Sequence, residues 1–279
     1  LLFALFSTSP QFIFGVDAAP AALIGAALLD LHIESGSKEA LAAVPVLTAF
    51  VALWLFAFYV MRAGKLVNYI SAPVMGGFIT GICTTIILMQ VPKLLGGTAG
   101  TGEFFELVEH IAETVGEINL PSLALGVAAL VIVLTAKKVI PKFPMAVLLM
   151  AAGALMTKYL PLRAWGIKTL DAVEPGLPVW SLPDFTAVPV REAVTISLSV
   201  AVVIMAETLL AENNFAQKNG YRINDNQEIL AFAMGNLAAA LTGCCPINGS
   251  VSRTAMGEQY QAKTQLTGIV AGLSMIVLL

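Results

Sequence analysis

Cys244-Cys-Pro-Ile-Asn-Gly-Ser-Val-Ser-Arg-Thr254 sits between apolar segments and breaks them with a proline, a glycine, two serines and an arginine. A charged side chain inside a membrane-spanning region is costly and normally functional. Non-helical backbone at membrane depth is tolerated only where protein buries it or where it lines a cavity. A helix beginning near Ser252 would aim free backbone N–H groups and a positive dipole end into that cavity. With Arg253 beside them, these groups describe an anion site inside a membrane protein.

The rest of the chain fits that setting. Of 279 residues, 58% are hydrophobic and only 12% charged, against about 25% charged in a soluble domain. Mean hydropathy is +0.85. Such a composition requires an all-α polytopic membrane protein embedded in the lipid bilayer. Net charge is −3 and says little, because the charges are few and confined to loops. Cys83, Cys244 and Cys245 lie in or beside apolar stretches. They read as small core residues, not as a disulfide framework or metal cluster, and no metal or cofactor is expected. No secretory signal is visible. The chain starts inside the apolar run Leu1–Phe6 and stops inside another, Ile269–Leu279, so both ends are expected to be cut.

Apolar windows of roughly 20 residues fall at Phe12–Leu31, Leu41–Met61, Ile70–Leu95, Leu120–Ala136, Pro144–Leu160, Glu192–Phe215 and Glu228–Gly243. A short eighth begins near Ser252 and a ninth near Thr264. Between the third and fourth, Gly96–Asn119 carries Glu103, Glu106, Glu109, Glu113 and Glu117, spaced as on an amphipathic surface helix. A long loop rich in Pro and Trp, Pro161–Pro189, precedes the sixth. Basic residues follow the even-numbered segments: Arg62 and Lys65, then Lys137, Lys138 and Lys142, then Lys218 and Arg222. The intervening loops are mainly acidic, so the loops after even-numbered segments are expected to be cytoplasmic.

Gly15-Val-Asp-Ala-Ala-Pro20 opens the first segment much as Pro246–Arg253 opens the eighth. Such a pair of Gly/Pro-interrupted segments points to a transporter site built on an inverted repeat. An odd spacing of seven segments suits inversion, since the second copy enters from the opposite side.

At these residues the chain resembles the sulfate permease (SulP) family of anion transporters. The matching residues are Asn219-Gly-Tyr-Arg-Ile-Asn-Asp-Asn-Gln-Glu-Ile229, Gly235-Asn236, Pro246-Ile-Asn-Gly-Ser-Val-Ser-Arg-Thr-Ala255 and Gln261-Ala-Lys-Thr-Gln-Leu-Thr-Gly268. Ile70-Ser-Ala-Pro-Val-Met-Gly-Gly-Phe-Ile-Thr-Gly81 with Gln90 and Leu94-Leu-Gly96, and Phe12-Ile-Phe-Gly-Val-Asp-Ala-Ala19, add to them. The resemblance implies a seven-plus-seven inverted-repeat fold, like that of uracil permeases, with short extended segments before two half-helices. This chain would hold about helices three to eleven. Helices one, two and twelve to fourteen would be missing, as would the cytoplasmic STAS domain many members carry. Residues 1–66 and 191–279 would then belong to a core, and 67–190 to gate helices and extracellular loops. Substrate would sit between the facing starts of the two half-helices.

Within that frame, Arg253 is expected to contribute positive charge to the anion, or else to tie down loop carbonyls. Arg orients oxyanions by paired N–H bonds. Ser250, Ser252 and Thr254 offer hydroxyls, either to the anion or as helix caps. Asp17 is expected to cap the opposing half-helix, where Ala18 and Ala19 permit close backbone approach. Glu207, a lone carboxylate inside the sixth segment, matches a family position facing the site and is the candidate for H⁺ or Na⁺ coupling. Glu212, Asn213 and Asn214 read as a solvated helix end, and Gln90 and Asn236 as interhelical hydrogen-bonding residues.

The expected function is secondary transport of sulfate, bicarbonate or a dicarboxylate. The expected setting is a homodimer in a bacterial inner membrane. A nucleobase permease of the same fold would place carboxylates on both central helices, whereas here one offers Ser and Arg. An anion channel or voltage-responsive motor is the other alternative, and Glu207 favours coupled transport. No HExxH, paired Asp dyad, Ser/His pair or phosphate loop suggests an enzyme, and no basic footprint suggests nucleic acid.

Overall fold

Each apolar window becomes a helix, and the residues at its ends set where it starts and stops. In the computed structural model, residues 1–34, 37–65, 72–98, 100, 104–140, 143, 145–169, 176 and 180–278 are described. The elements run α1 (Leu2–Phe6), β1 (Phe14–Gly15), α2 (Ala18–Asp30), α3 (Lys38–Val60), α4 (Ala72–Leu95), α5 (Phe104–Val115), α6 (Leu120–Val139) and α7 (Met145–Tyr159). After a 3₁₀ turn at Leu162–Trp165 come α8 (Val190–Asn219), α9 (Asp225–Leu241), β2 (Asn248–Gly249), α10 (Val251–Gln259) and α11 (Leu266–Leu278).

Ser37 caps α3 by accepting the Ala40 N–H at 3.0 Å. Asn119 caps α6 through the Ser122 N–H at 2.8 Å, and Asn224 caps α9 through the Gln227 N–H at 3.2 Å. Each side chain satisfies a backbone donor that a helix start leaves orphaned. Lys137 and Lys138 close α6, where positive charge suits the dipole. At the end of α8, Gly220 takes φ 73° and the Tyr221 N–H reaches the Ala216 carbonyl at 3.0 Å. This is a Schellman stop that a residue with a Cβ adopts only with strain.

Among the described residues, α3, α6 and α8 are long and apolar enough to cross a membrane. α6 presents Val127, Leu130, Val131, Ile132 and Leu134 to its surroundings, the pattern of a lipid-facing helix. The expected acidic surface helix is α5, with Leu107 buried and Glu106, Glu109 and Glu113 exposed. Glu103, Lys142, Pro144 and the Ile70-Ser71 start of one motif lie outside the described residues.

The chain divides into two compact units. One comprises Leu1–Gly77 with Glu174–Leu279, the other Phe78–Val173. In the first, α3 packs along α9 and α8, and Val46, Leu47, Val51, Leu55, Ile204, Leu209, Ile229 and Phe232 form its core. The turn after α3 lies directly on the start of α9. A Cβ on Gly64 would stand 2.7 Å from the Asn226 nitrogen, so only glycine fits that approach. In the second unit, α6 and α7 pack together, and Gly126 of α6 lies against Leu94 of α4.

Candidate functional site

β1 and β2 pair antiparallel, Phe14 opposite Gly249 and Gly15 opposite Asn248. Two further bonds lengthen the crossing. The Ser250 N–H donates to the Ile13 carbonyl at 2.9 Å, and the Ile13 N–H donates to Thr254 Oγ1 at 3.0 Å. Each strand runs within three residues into a helix start, α2 from Ala18 and α10 from Val251. The two interruptions seen in the sequence are therefore one structural unit.

Side chains around the crossing hold it in place. Phe14 clusters with Phe3, at a centroid distance of 4.8 Å, and with Phe232, at 5.1 Å. Its ring lies against Gly235, where an added Cβ would approach Phe14 to 2.9 Å. Phe12, fully buried, covers Gly249, whose added Cβ would run into the Phe12 ring and meet Thr208 Cγ2 at 2.6 Å. Asn236 fixes the approach to β2 by acting like a neighbouring strand. Its Oδ1 accepts the Ile247 N–H at 2.9 Å and its Nδ2 donates to the Ile247 carbonyl at 3.1 Å. Its partner is thus the loop before β2 rather than another helix. Gln90 is exposed on α4.

Arg253 bridges the two helix starts. Its guanidinium donates to the Val16 carbonyl and lies 3.9 Å from Asp17 Oδ1. The side chain crosses Gly15, where an added Cβ would stand 3.2 Å from a guanidinium nitrogen. The arginine therefore ties down a loop carbonyl while 43% of its side chain stays exposed. Asp17 occupies the cap position of α2 but makes no side-chain cap bond. This departs from the expected capping role, and the carboxylate lies beside the Arg253 guanidinium.

Ser250 is buried at the cap position of α10. Its Oγ lies 3.4 Å from that of Ser252, which is exposed. Thr254 is placed differently from the serines. It is 2% exposed, and its hydroxyl donates to the Ser250 carbonyl at 2.7 Å while accepting from Ile13. Its hydrogen is spent inside the crossing, so it serves as a strut there. Ala19 is half-buried in the first turn of α2. Ala18 opens that helix, and its side chain is outside what is described.

Glu207 is 5% exposed and reaches the crossing through β2, accepting Asn248 Nδ2 at 2.8 Å. Thr208 donates to Asn248 Oδ1 and accepts the Gly249 N–H at 3.1 Å. Sequence reasoning missed Asn248 and Thr208. The signal available was the Asn directly before the Gly-Ser of the interruption and the hydroxyl directly after Glu207. Glu212 overturns its expected place at a solvated helix end, being fully buried where α9 and the Ser7–Ser9 segment cover α8.

The Sulfate permease family model matches residues 1–279. A Mycobacterium tuberculosis protein named "Probable sulfate transporter" is 27% identical over 278 residues, covering 99% of this chain and 50% of its own. The bovine "Sulfate transporter" is 25% identical over 231 residues, covering 78% of this chain and 31% of its own. The chain thus spans about half the length, or less, of these relatives. Among solved structures, the transmembrane domain of the cyanobacterial bicarbonate transporter BicA superposes with TM-score 0.75 at 20% identity, over 99% of this chain and 70% of that one. SLC26A9 gives TM-score 0.77 at 17% identity, over 99% and 47%. These likenesses show the helical membrane transporter fold.

Proposed function

Because the chain belongs to the sulfate permease family, we propose that it is the membrane-embedded part of a secondary transporter for a small anion. Sulfate, bicarbonate and dicarboxylates are the candidate substrates. The observation that carries this reading is the β1–β2 crossing, which sets two helix starts side by side with Arg253 between them. Helix starts present unpaired N–H groups and partial positive charge, and an arginine adds a full charge. The anion would be held by backbone N–H groups at Ala18 and Ala19, by Ser250 and Ser252, and by Arg253. Thr254 would act on it by shaping the Ser250 corner.

In this reading Glu207 is the coupling group, for H⁺ or for Na⁺. Among the described residues no Lys or Arg pairs with Glu207, which is bonded to the neutral Asn248, and this leaves room for a transported cation. Asn248 would pass its state to β2 and so to Ser250. Transport would proceed by movement of a core, residues 1–66 and 191–279, against a gate formed by 67–190. The working protein would be a homodimer in a bacterial inner membrane. Neutral nucleobases are disfavoured as cargo because the polar groups offered from α10 are hydroxyls and a guanidinium.

Uptake of labelled sulfate, bicarbonate and fumarate into proteoliposomes, with and without a pH or Na⁺ gradient, tests the proposal. Accumulation of one of them driven by one gradient is expected. Uptake of none, or uptake that never exceeds equilibration, would exclude coupled anion transport.

A further inference from the structure

Away from the crossing, two fully buried carboxyl groups meet on neighbouring helices. Glu212 of α8 and Glu228 of α9 are each 0% exposed, and their side chains lie against one another, with Ser9 beside them. Glu228 Oε1 is richly served. It accepts the Thr8 N–H and the Thr8 hydroxyl, and the Ser9 N–H at 3.2 Å. The remaining three oxygens, Glu228 Oε2 and both of Glu212, are buried without a well-formed hydrogen bond, and the Ser9 hydroxyl is the donor group beside Glu212.

The charged and titratable groups around the pair do not neutralise it. On α8, Lys218 is committed to Glu258 of α10 at 2.6 Å. On α9, Asp225 accepts Asn213 Nδ2 at 2.8 Å and adds a like charge. Between these helices, the Tyr221 hydroxyl lies 3.2 Å from Ser9 Oγ, and Arg222 is exposed. In the turn after α3, Arg62 and Lys65 are exposed. α1 and α11 carry no ionisable side chain. Among the described residues, no Lys or Arg forms an ion pair with either carboxyl.

Two adjacent buried carboxylates repel strongly and leave acceptors without donors. A single proton placed between Glu228 Oε2 and Glu212 removes one charge and supplies a donor. We propose that Glu212 and Glu228 form a proton-binding pair, separate from Glu207, that clamps the segment leading into β1. The clamp is direct, since Glu228 holds Thr8 and Ser9 while Ser9 Oγ accepts the Phe12 N–H at 3.3 Å. Proton occupancy of the pair therefore bears on the strand that forms half of the crossing. The assignment does not depend on which anion is carried, or on transport at all.

Difference infrared spectroscopy of the folded, intact protein tests it, reading the C=O stretch of protonated carboxyl groups and its shift in D₂O. One such band should persist in Glu207→Gln and disappear in both Glu212→Gln and Glu228→Gln. The double variant Glu212→Gln with Glu228→Gln keeps an amide donor between the two groups. It should fold and lack the band even where a single variant does not give monodisperse protein. A protonated-carboxyl spectrum unchanged in the single and double variants would overturn the proposal. So would stoichiometric Na⁺ or Ca²⁺ binding that these variants abolish, because a metal ion would then take the proton's place.

Discussion

Asn248 Nδ2 donates to Glu207 Oε2 at 2.8 Å, joining the middle of α8 to the strand that precedes α10. The bond is buried at both ends. Removing the donor leaves a buried carboxyl group short of a partner, at a cost of about 1–3 kcal/mol. Asn248→Ala should therefore lower thermal stability measurably in detergent, and Asn248→Asp should not restore it, since that substitution sets an acceptor against an acceptor. A melting temperature unchanged in Asn248→Ala would mean that the pair does not hold β2.

Glu207→Gln keeps the shape of the side chain and removes its charge. Anion binding should survive while uptake loses its dependence on the driving gradient. Counterflow and gradient-driven accumulation, measured side by side in proteoliposomes, separate the two. Accumulation equal to that of the wild type would exclude Glu207 from coupling.

Gly249→Ala probes the crossing without touching charge. The new methyl group would press on the Phe12 ring and on Thr208 Cγ2, and overpacking of this kind costs about 1–3 kcal/mol. Thermal unfolding should shift downward, and a Phe12→Leu second substitution should recover part of the loss by opening space. A fully additive double variant would contradict the packing account.

An anion held by Arg253 as proposed would compete with Asp17, which lies 3.9 Å from the guanidinium. Asp17→Asn should therefore tighten anion binding and weaken its salt dependence less than Arg253→Ala does. Titration over a series of ionic strengths reads both effects. Weaker binding in Asp17→Asn would show instead that the carboxylate positions the arginine productively.

The fold was legible because it rests on long apolar segments broken at two places, and those patterns are local. The windows Leu41–Met61 and Glu192–Phe215 became α3 and α8 within a few residues. Both interruptions turned into short strands followed by helices. What sequence could not show was pairing between distant residues. Thr254 looked like a ligand because hydroxyls suit anions, yet Ile13, far away in the chain, claims its oxygen. Asp17 looked like a cap because it precedes a helix, and only the crossing brings Arg253 to it. Glu212 looked solvated because nothing in its neighbourhood of sequence says that Ser7–Ser9 folds over it. Asn248 was passed over because its partner Glu207 lies 41 residues back.

Isothermal titration of sulfate, bicarbonate and fumarate into wild type and Arg253→Ala tests most directly whether an anion is held between the two helix starts. The guanidinium is already engaged by Val16 and Asp17 and is partly exposed, so its contribution should fall near the low end of the 1.5–3 kcal/mol for a charge-assisted hydrogen bond, about tenfold in affinity. Wild-type protein should bind one of these anions, Arg253→Ala should bind it about tenfold more weakly, and Arg253→Lys should lie between. Equal affinity in wild type and in a folded Arg253→Ala variant would contradict the account.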